Sequence, residues 1–166
     1  MTIAFLSVRL GQSFTNLGID ALGREGLARA VEGTRLCEEP IKILLVEDDG
    51  DSSFALSMLL TEEGFDVVRA ADVSEAYADA LAGAPDVVVT DIEMPVLSGL
   101  ELIKLFKLRP ALSAIPIIAM SALEKKLRKA AALGAAAVHQ KPLEYERLIS
   151  SIVGLIHRPL VGAPSH

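Results

Sequence analysis

The chain has 166 residues, 51% of them hydrophobic and 23% charged, which is enough apolar material for one ordinary core and rules out a wholly disordered chain. Its 16 Lys and Arg against 22 Asp and Glu give a net charge of −6, which argues against a nucleic-acid binder, and 4% aromatic residues with no Trp leave little surface for stacking on bases. The one cysteine, Cys37, can make no intrachain disulfide, there is no Cys/His cluster for structural zinc, and no apolar run nears the roughly 18 residues of a membrane span.

Residues 1–39 read as an extension. Gly11, Gly18, Gly23, Gly26 and Gly33 break any long helix, and only Asp20 to Glu32, with Leu22, Leu27, Ala30 and Val31 on one face, suits a short one. Weak order is the plainer expectation, with a docking arm, a dimerisation helix or a start codon set too early as the others. The apolar Ile3–Leu6 lacks a basic region before it and a long apolar one after it, so no signal peptide is expected and the expected compartment is the cytoplasm.

From Ile41 the pattern changes. Ile41–Val46, Phe65–Arg69, Asp86–Thr90, Ile115–Met120 and Ala136–His139 are short β-branched or apolar runs that read as strands. Between them lie stretches of helical period. Ser52–Glu63, with Phe54, Met58 and Leu59, stops at Gly64, and Ser74–Leu81 ends at Gly83 and Pro85. Ser98–Leu108 opens on a Ser98/Glu101 capping box, Leu123–Leu133 stops at Gly134, and Tyr145, Leu148, Ile149, Ile152, Leu155 and Ile156 line one face of a last helix. Strand and helix alternate five times, which predicts an α/β fold with a parallel sheet covered on both faces and wound in both directions. In such sheets ligands bind beyond the carboxyl ends of the strands, where the strand order reverses.

Glu47-Asp48-Asp49 follow the first strand, Asp91 the third, Ser121 the fourth, and Lys141-Pro142 the fifth. Each has a plain alternative: Asp49 as a helix cap, Ser121 as an N-cap paired with Glu124, Glu47-Asp48 as a solvated turn, Lys141 as a surface lysine. Together they converge. Carboxylates in one spot repel, so one of them should be harder to ionise, and a hard divalent cation such as Mg²⁺ relieves the conflict. A lysine and a hydroxyl opposite can hold a phosphate, so the set fits phosphoryl transfer onto a carboxylate. His139 reads as a strand-end residue, with no ligand spacing to His157 or His166.

With ILLVEDD (43–49), DVVVTDIEMPVLSGLEL (86–102), PIIAMSAL (116–123) and KP (141–142) in this order and spacing, residues 41–157 resemble the receiver domain of bacterial two-component response regulators. The resemblance implies a flavodoxin-like fold of five parallel strands in the order 2-1-3-4-5, over about residues 40–158, followed by a short tail. It implies Asp91 as phosphoacceptor, with Mg²⁺ held by Asp48 directly, by Glu47 through water, by Asp91 and by the backbone carbonyl of Glu93. Ser121 would bond the phosphoryl group and Lys141 would bind it, across a cis bond to Pro142. The implied partners are a sensor histidine kinase or a histidine phosphotransfer protein, and a downstream target protein, with a possible dimer through the fourth and fifth helices and no direct contact with nucleic acid or membrane.

Two features depart from the family's pattern. Val138 stands three residues before Lys141, where an aromatic switch residue is usual, and a short β-branched side chain cannot make the same large rotamer change. Glu93 adds a carboxylate at the mouth of the site, which should disfavour an anionic phosphodonor modestly and alter the lifetime of the phosphoryl group. The expectation is a single-domain regulator whose output is a protein contact and which catalyses only its own phosphorylation and dephosphorylation. The alternatives are a receiver-like interaction module that works without phosphorylation and, more remotely, a Mg²⁺-dependent phosphatase of the haloacid dehalogenase type, whose nucleophile would follow the first strand.

Overall fold

A computed structural model describes residues 40–156. The short helix expected at 20–32, Cys37 and the tail 159–166 lie outside the described residues.

Five parallel strands, β1 (Lys42–Val46), β2 (Asp66–Ala70), β3 (Val87–Asp91), β4 (Ile117–Ser121) and β5 (Ala137–Gln140), alternate with α1 (Gly50–Glu62), α2 (Val73–Gly83), α3 (Gly99–Leu108), α4 (Glu124–Ala132) and α5 (Tyr145–Ile156). The sheet order is β2-β1-β3-β4-β5, so the order reverses between β1 and β3. The parallel, doubly wound sheet is what the alternation predicts, and its order is the flavodoxin-like one that the resemblance implies. No described helix is long and apolar enough to cross a membrane.

Strand alternation divides the core into two layers. Leu44, Val46, Val88, Ile117 and Ala119 face α2, α3 and α4, where Ala76, Ala80, Leu102, Ile103, Phe106 and Leu127 are buried against them. Ile43, Leu45, Val87, Val89, Ile118 and Met120 are fully buried on the other side, which α1 and α5 cover with Leu60, Leu148 and Ile152. β3 and β4 are buried throughout and β1 at every residue but Lys42, as the continuous apolar runs require, whereas β2 at one edge and β5 at the other are half exposed.

Four of the five strands end one residue later than their apolar runs. Asp91 pairs with Met120 and Ser121 with Gln140, because a strand continues as long as its N–H and C=O groups find partners, whatever the side chain. The two polar residues are therefore the last residues of their strands.

From α1 to α4, helix starts follow the cap chemistry with one exception. Asp49 accepts the Ser52 N–H at 2.8 Å to open α1, Asp72 accepts the Glu75 N–H at 2.8 Å to open α2, and Ser98 and Glu101 form the capping box of α3. The exception is Ser121, which does not cap α4. That helix starts at Glu124 behind Leu123, without a side-chain cap, and the serine side chain turns elsewhere. α2 runs through Gly83 to a left-handed Ala84 (φ 40°), two residues beyond its expected end.

The helix expected from Phe54, Met58 and Leu59 is present as α1, but these apolar residues do not mark its buried face. Ser53, Ser57 and Leu60 are buried, while Phe54, Met58 and Leu59 are exposed. The Arg69 Nε donates to Ser53 Oγ at 2.8 Å and its guanidinium sits 5.8 Å from the centre of the Phe54 ring, so a polar contact from β2 selects the buried face.

Candidate functional site

The carboxyl ends of β1, β3 and β5 bring the predicted acids and lysine together. Glu47 follows β1, where its N–H donates to the Ala70 carbonyl at 3.1 Å. Carboxylate oxygens of Glu47, Asp48 and Asp91 all lie within 4.8 Å of one another, with Glu47 and Asp91 buried and Asp48 exposed. Lys141 reaches in from beyond β5, its Nζ 2.7 Å from Asp91 Oδ2 and 3.1 Å from Glu47 Oε2. Its backbone N–H donates to the Ser121 carbonyl at 2.9 Å, and the Lys141–Pro142 peptide is cis.

One ammonium between two buried carboxylates divides them unequally. For Asp91, burial pushes the carboxyl up, but the Lys141 ammonium and the Glu93 N–H outweigh it and hold it below the usual carboxylate range. For Glu47, burial is the larger effect, the Asp91 charge adds to it, and Lys141 offsets it only in part, so that carboxyl is raised. Lys141 itself is lowered by burial and raised more strongly by its bonds to Asp91 and Glu47, with a net upward shift. The shorter Lys141–Asp91 contact agrees with these opposite directions. The Asp91 carboxylate is thus kept ionised, and the conflict among the acids falls on Glu47.

Ser121 joins the cluster through Glu93. The Glu93 N–H donates to Asp91 Oδ1 at 3.1 Å, and its Oε1 accepts the Ser121 hydroxyl at 2.6 Å. Lys126 on α4 lies 3.2 Å from the same Oε1. Two residues here escape sequence reasoning. Lys126 lies in a charged helix with nothing to set it apart from Lys125 or Lys129. Gly99 opens α3 so close to β3 that a Cβ would stand 2.3 Å from the Asp91 carbonyl oxygen, and the Ser-Gly pair after the strand was its only signal. His139 lies on β5 with Nε2 2.9 Å from Ser151 Oγ, apart from the acidic cluster, and Val138 on the same strand is 37% exposed.

The donor set fits a hard cation: three carboxylates presenting one oxygen each, at one sheet edge, with no nitrogen or sulfur ligand among them. Beside it stand an ionised carboxylate, an ammonium and a hydroxyl, the parts needed to receive and hold a phosphoryl group.

The sequence model of the response regulator receiver domain matches residues 43–153. The chain belongs to this family.

Among curated relatives, this receiver domain is similar to the alkaline phosphatase synthesis transcriptional regulatory protein PhoP of Bacillus subtilis, 31% identical over 126 residues that cover 75% of this chain and 52% of PhoP. It is similar also to the transcriptional regulatory protein PrrA of Mycobacterium tuberculosis, 33% identical over 119 residues that cover 70% of this chain and 50% of PrrA. The chain spans about half the length of these relatives. Among solved receiver structures, the chemotaxis response regulator CheY4 of Vibrio cholerae matches with a TM-score of 0.65 at 28% identity, over 70% of this chain and 99% of that one. The receiver domain of Francisella response regulator 1452 matches with a TM-score of 0.66 at 28% identity, over 71% and 97%.

Proposed function

We propose that residues 40–158 form a phosphoacceptor domain that takes a phosphoryl group on Asp91 and thereby switches a protein contact, with 1–39 and 159–166 as appendages to it. The observation that carries this reading is the Asp91 carboxylate, buried, held ionised, and set 2.7 Å from Lys141 beside Glu47 and Asp48. Asp91 attacks the phosphorus of a phosphohistidine on a sensor kinase or phosphotransfer protein. The P–N bond breaks, a P–O bond to Oδ forms, and histidine leaves with the electron pair. Lys141 holds the incoming group as a point charge and offsets the charge on its oxygens. Glu47, Asp48, Asp91 and the Glu93 carbonyl would hold Mg²⁺, which when bound supplies further neutralisation of the phosphoryl oxygens.

Apart from this self-directed transfer and the later hydrolysis, the chain is not an enzyme in this reading. Its compartment is the cytoplasm, where a kinase's phosphohistidine would meet it, and a dimer through α4 and α5 is one form of output. The test is incubation with acetyl phosphate and Mg²⁺ followed by intact mass. The expected result is a labile adduct of about 80 Da that Asp91→Ala abolishes. No adduct from any phosphodonor would support the second reading, an interaction module indifferent to phosphate, which the short Val138 side chain favours.

A further inference from the structure

A serine hydroxyl has a single proton to donate. In this chain the Ser121 hydroxyl has Glu93 Oε1 as its near acceptor at 2.6 Å and the Leu123 carbonyl as a far one at 3.4 Å, and the Leu123 N–H donates to Ser121 Oγ at 3.0 Å. The same Glu93 oxygen lies 3.2 Å from Lys126 Nζ in the first turn of α4, while the Glu93 backbone N–H donates to the acceptor carboxylate at 3.1 Å. One residue thus touches the acceptor, the hydroxyl and α4 at once.

We infer that Glu93 is a positioning residue that occupies, in the unphosphorylated chain, the bond Ser121 would make to a phosphoryl group, and that its displacement on phosphorylation releases Lys126 and with it the start of α4. The inference rests on Asp91 as phosphoacceptor. Two effects drive the displacement in one direction. Ser121 cannot donate to Glu93 and to the phosphoryl group together. The phosphoryl group also brings about −1.5 to −2 of charge beside the Glu93 carboxylate and repels it. α4 yields easily, because its N-terminus has no side-chain cap and Glu93–Lys126 is a tie from this turn to the site. Freed Lys126 joins Lys125, Arg128 and Lys129 on the same helix. This route ends on α4 and makes no use of the side chain at Val138.

The experiment is hydrogen exchange of the full chain in Mg²⁺, read over residues 122–132, before and after phosphorylation with acetyl phosphate, whose P–O bond to acetate breaks as the P–O bond to Asp91 forms. Intact mass is read on the same samples. Unphosphorylated Glu93→Ala is expected to exchange the amides of 123–127 at least about threefold faster than wild type, near the rate of phosphorylated wild type. Glu93→Gln, which keeps an oxygen for Ser121, is expected to restore part of the protection, and adduct decay is expected to differ between wild type and Glu93→Ala. An adduct that forms on wild type without changing exchange in α4, or Glu93→Ala with wild-type exchange, overturns the inference alone. Absence of the adduct in wild type overturns the phosphoacceptor reading, and the mass shows this separately.

Discussion

Lys141 faces two carboxylates and can neutralise only one, and the consequences are readable in pH. Glu47 is raised, so the folded chain binds a proton there that the unfolded chain has already lost. Its contribution therefore turns unfavourable as pH rises through the window above the ordinary glutamate value. Asp91 is lowered, so its contribution has the opposite sign, present above the ordinary aspartate value and lost as pH falls through the lowered one. A cation held by Glu47 competes with that proton, so Mg²⁺ affinity measured by calorimetry should be weaker at about pH 5 than at about pH 7.5, with protons released on binding. Equal affinity at both values would mean that Glu47 takes no part. Gly99 makes a steric prediction at the same scale. A methyl group 2.3 Å from the Asp91 carbonyl has only backbone to push against, so Gly99→Ala should cost about 1–3 kcal/mol in urea unfolding and slow formation of the adduct. The acids, Ser121 and Lys141 were legible in the sequence because each follows an apolar run. The direction of the Ser121 hydroxyl was not, since the same spacing to Glu124 that suggests a cap is equally compatible with a serine turned toward Glu93.

At the scale of the elements, existence and order follow from the alternation of apolar runs and helical periods, and the ends do not. Apolarity marks where a strand is buried, but pairing decides where it stops, which is why Asp91 and Ser121 fall inside β3 and β4. α1 shows the limit of periodicity. Phe54 and Met58 are apolar at helical spacing, yet the contact from Arg69 to Ser53 turns the serines inward and leaves both large side chains in solvent. Replacing Phe54 or Met58 by a polar residue should therefore change unfolding free energy by less than about 0.5 kcal/mol, the behaviour of a surface site. Phe106→Ala should cost about 3–5 kcal/mol, since that ring is fully buried in α3 and meets Tyr77 edge-on. Chemical denaturation of the three variants gives the comparison, and similar losses at 54 and 106 would reverse the assignment of faces.

For the whole molecule, a strongly apolar sheet fixes the frame and the strand ends carry nearly all of the chemistry. The net charge of −6 does not describe the site, where one lysine stands among three acids, nor α4, where Lys125, Lys126, Arg128 and Lys129 outnumber Glu124. A receiver domain, a metal-capable acidic cluster and an ionised carboxylate beside an ammonium lead to one central proposal, that Asp91 carries the phosphoryl group. Borohydride reduction of the acetyl-phosphate-treated protein, followed by peptide mass analysis, tests it at a single residue, because reduction of an aspartyl phosphate leaves homoserine. Homoserine at position 91, formed only with Mg²⁺ and donor present, is the predicted result. Conversion at a different aspartate, or unchanged Asp91 in a sample that carries the adduct, would contradict it.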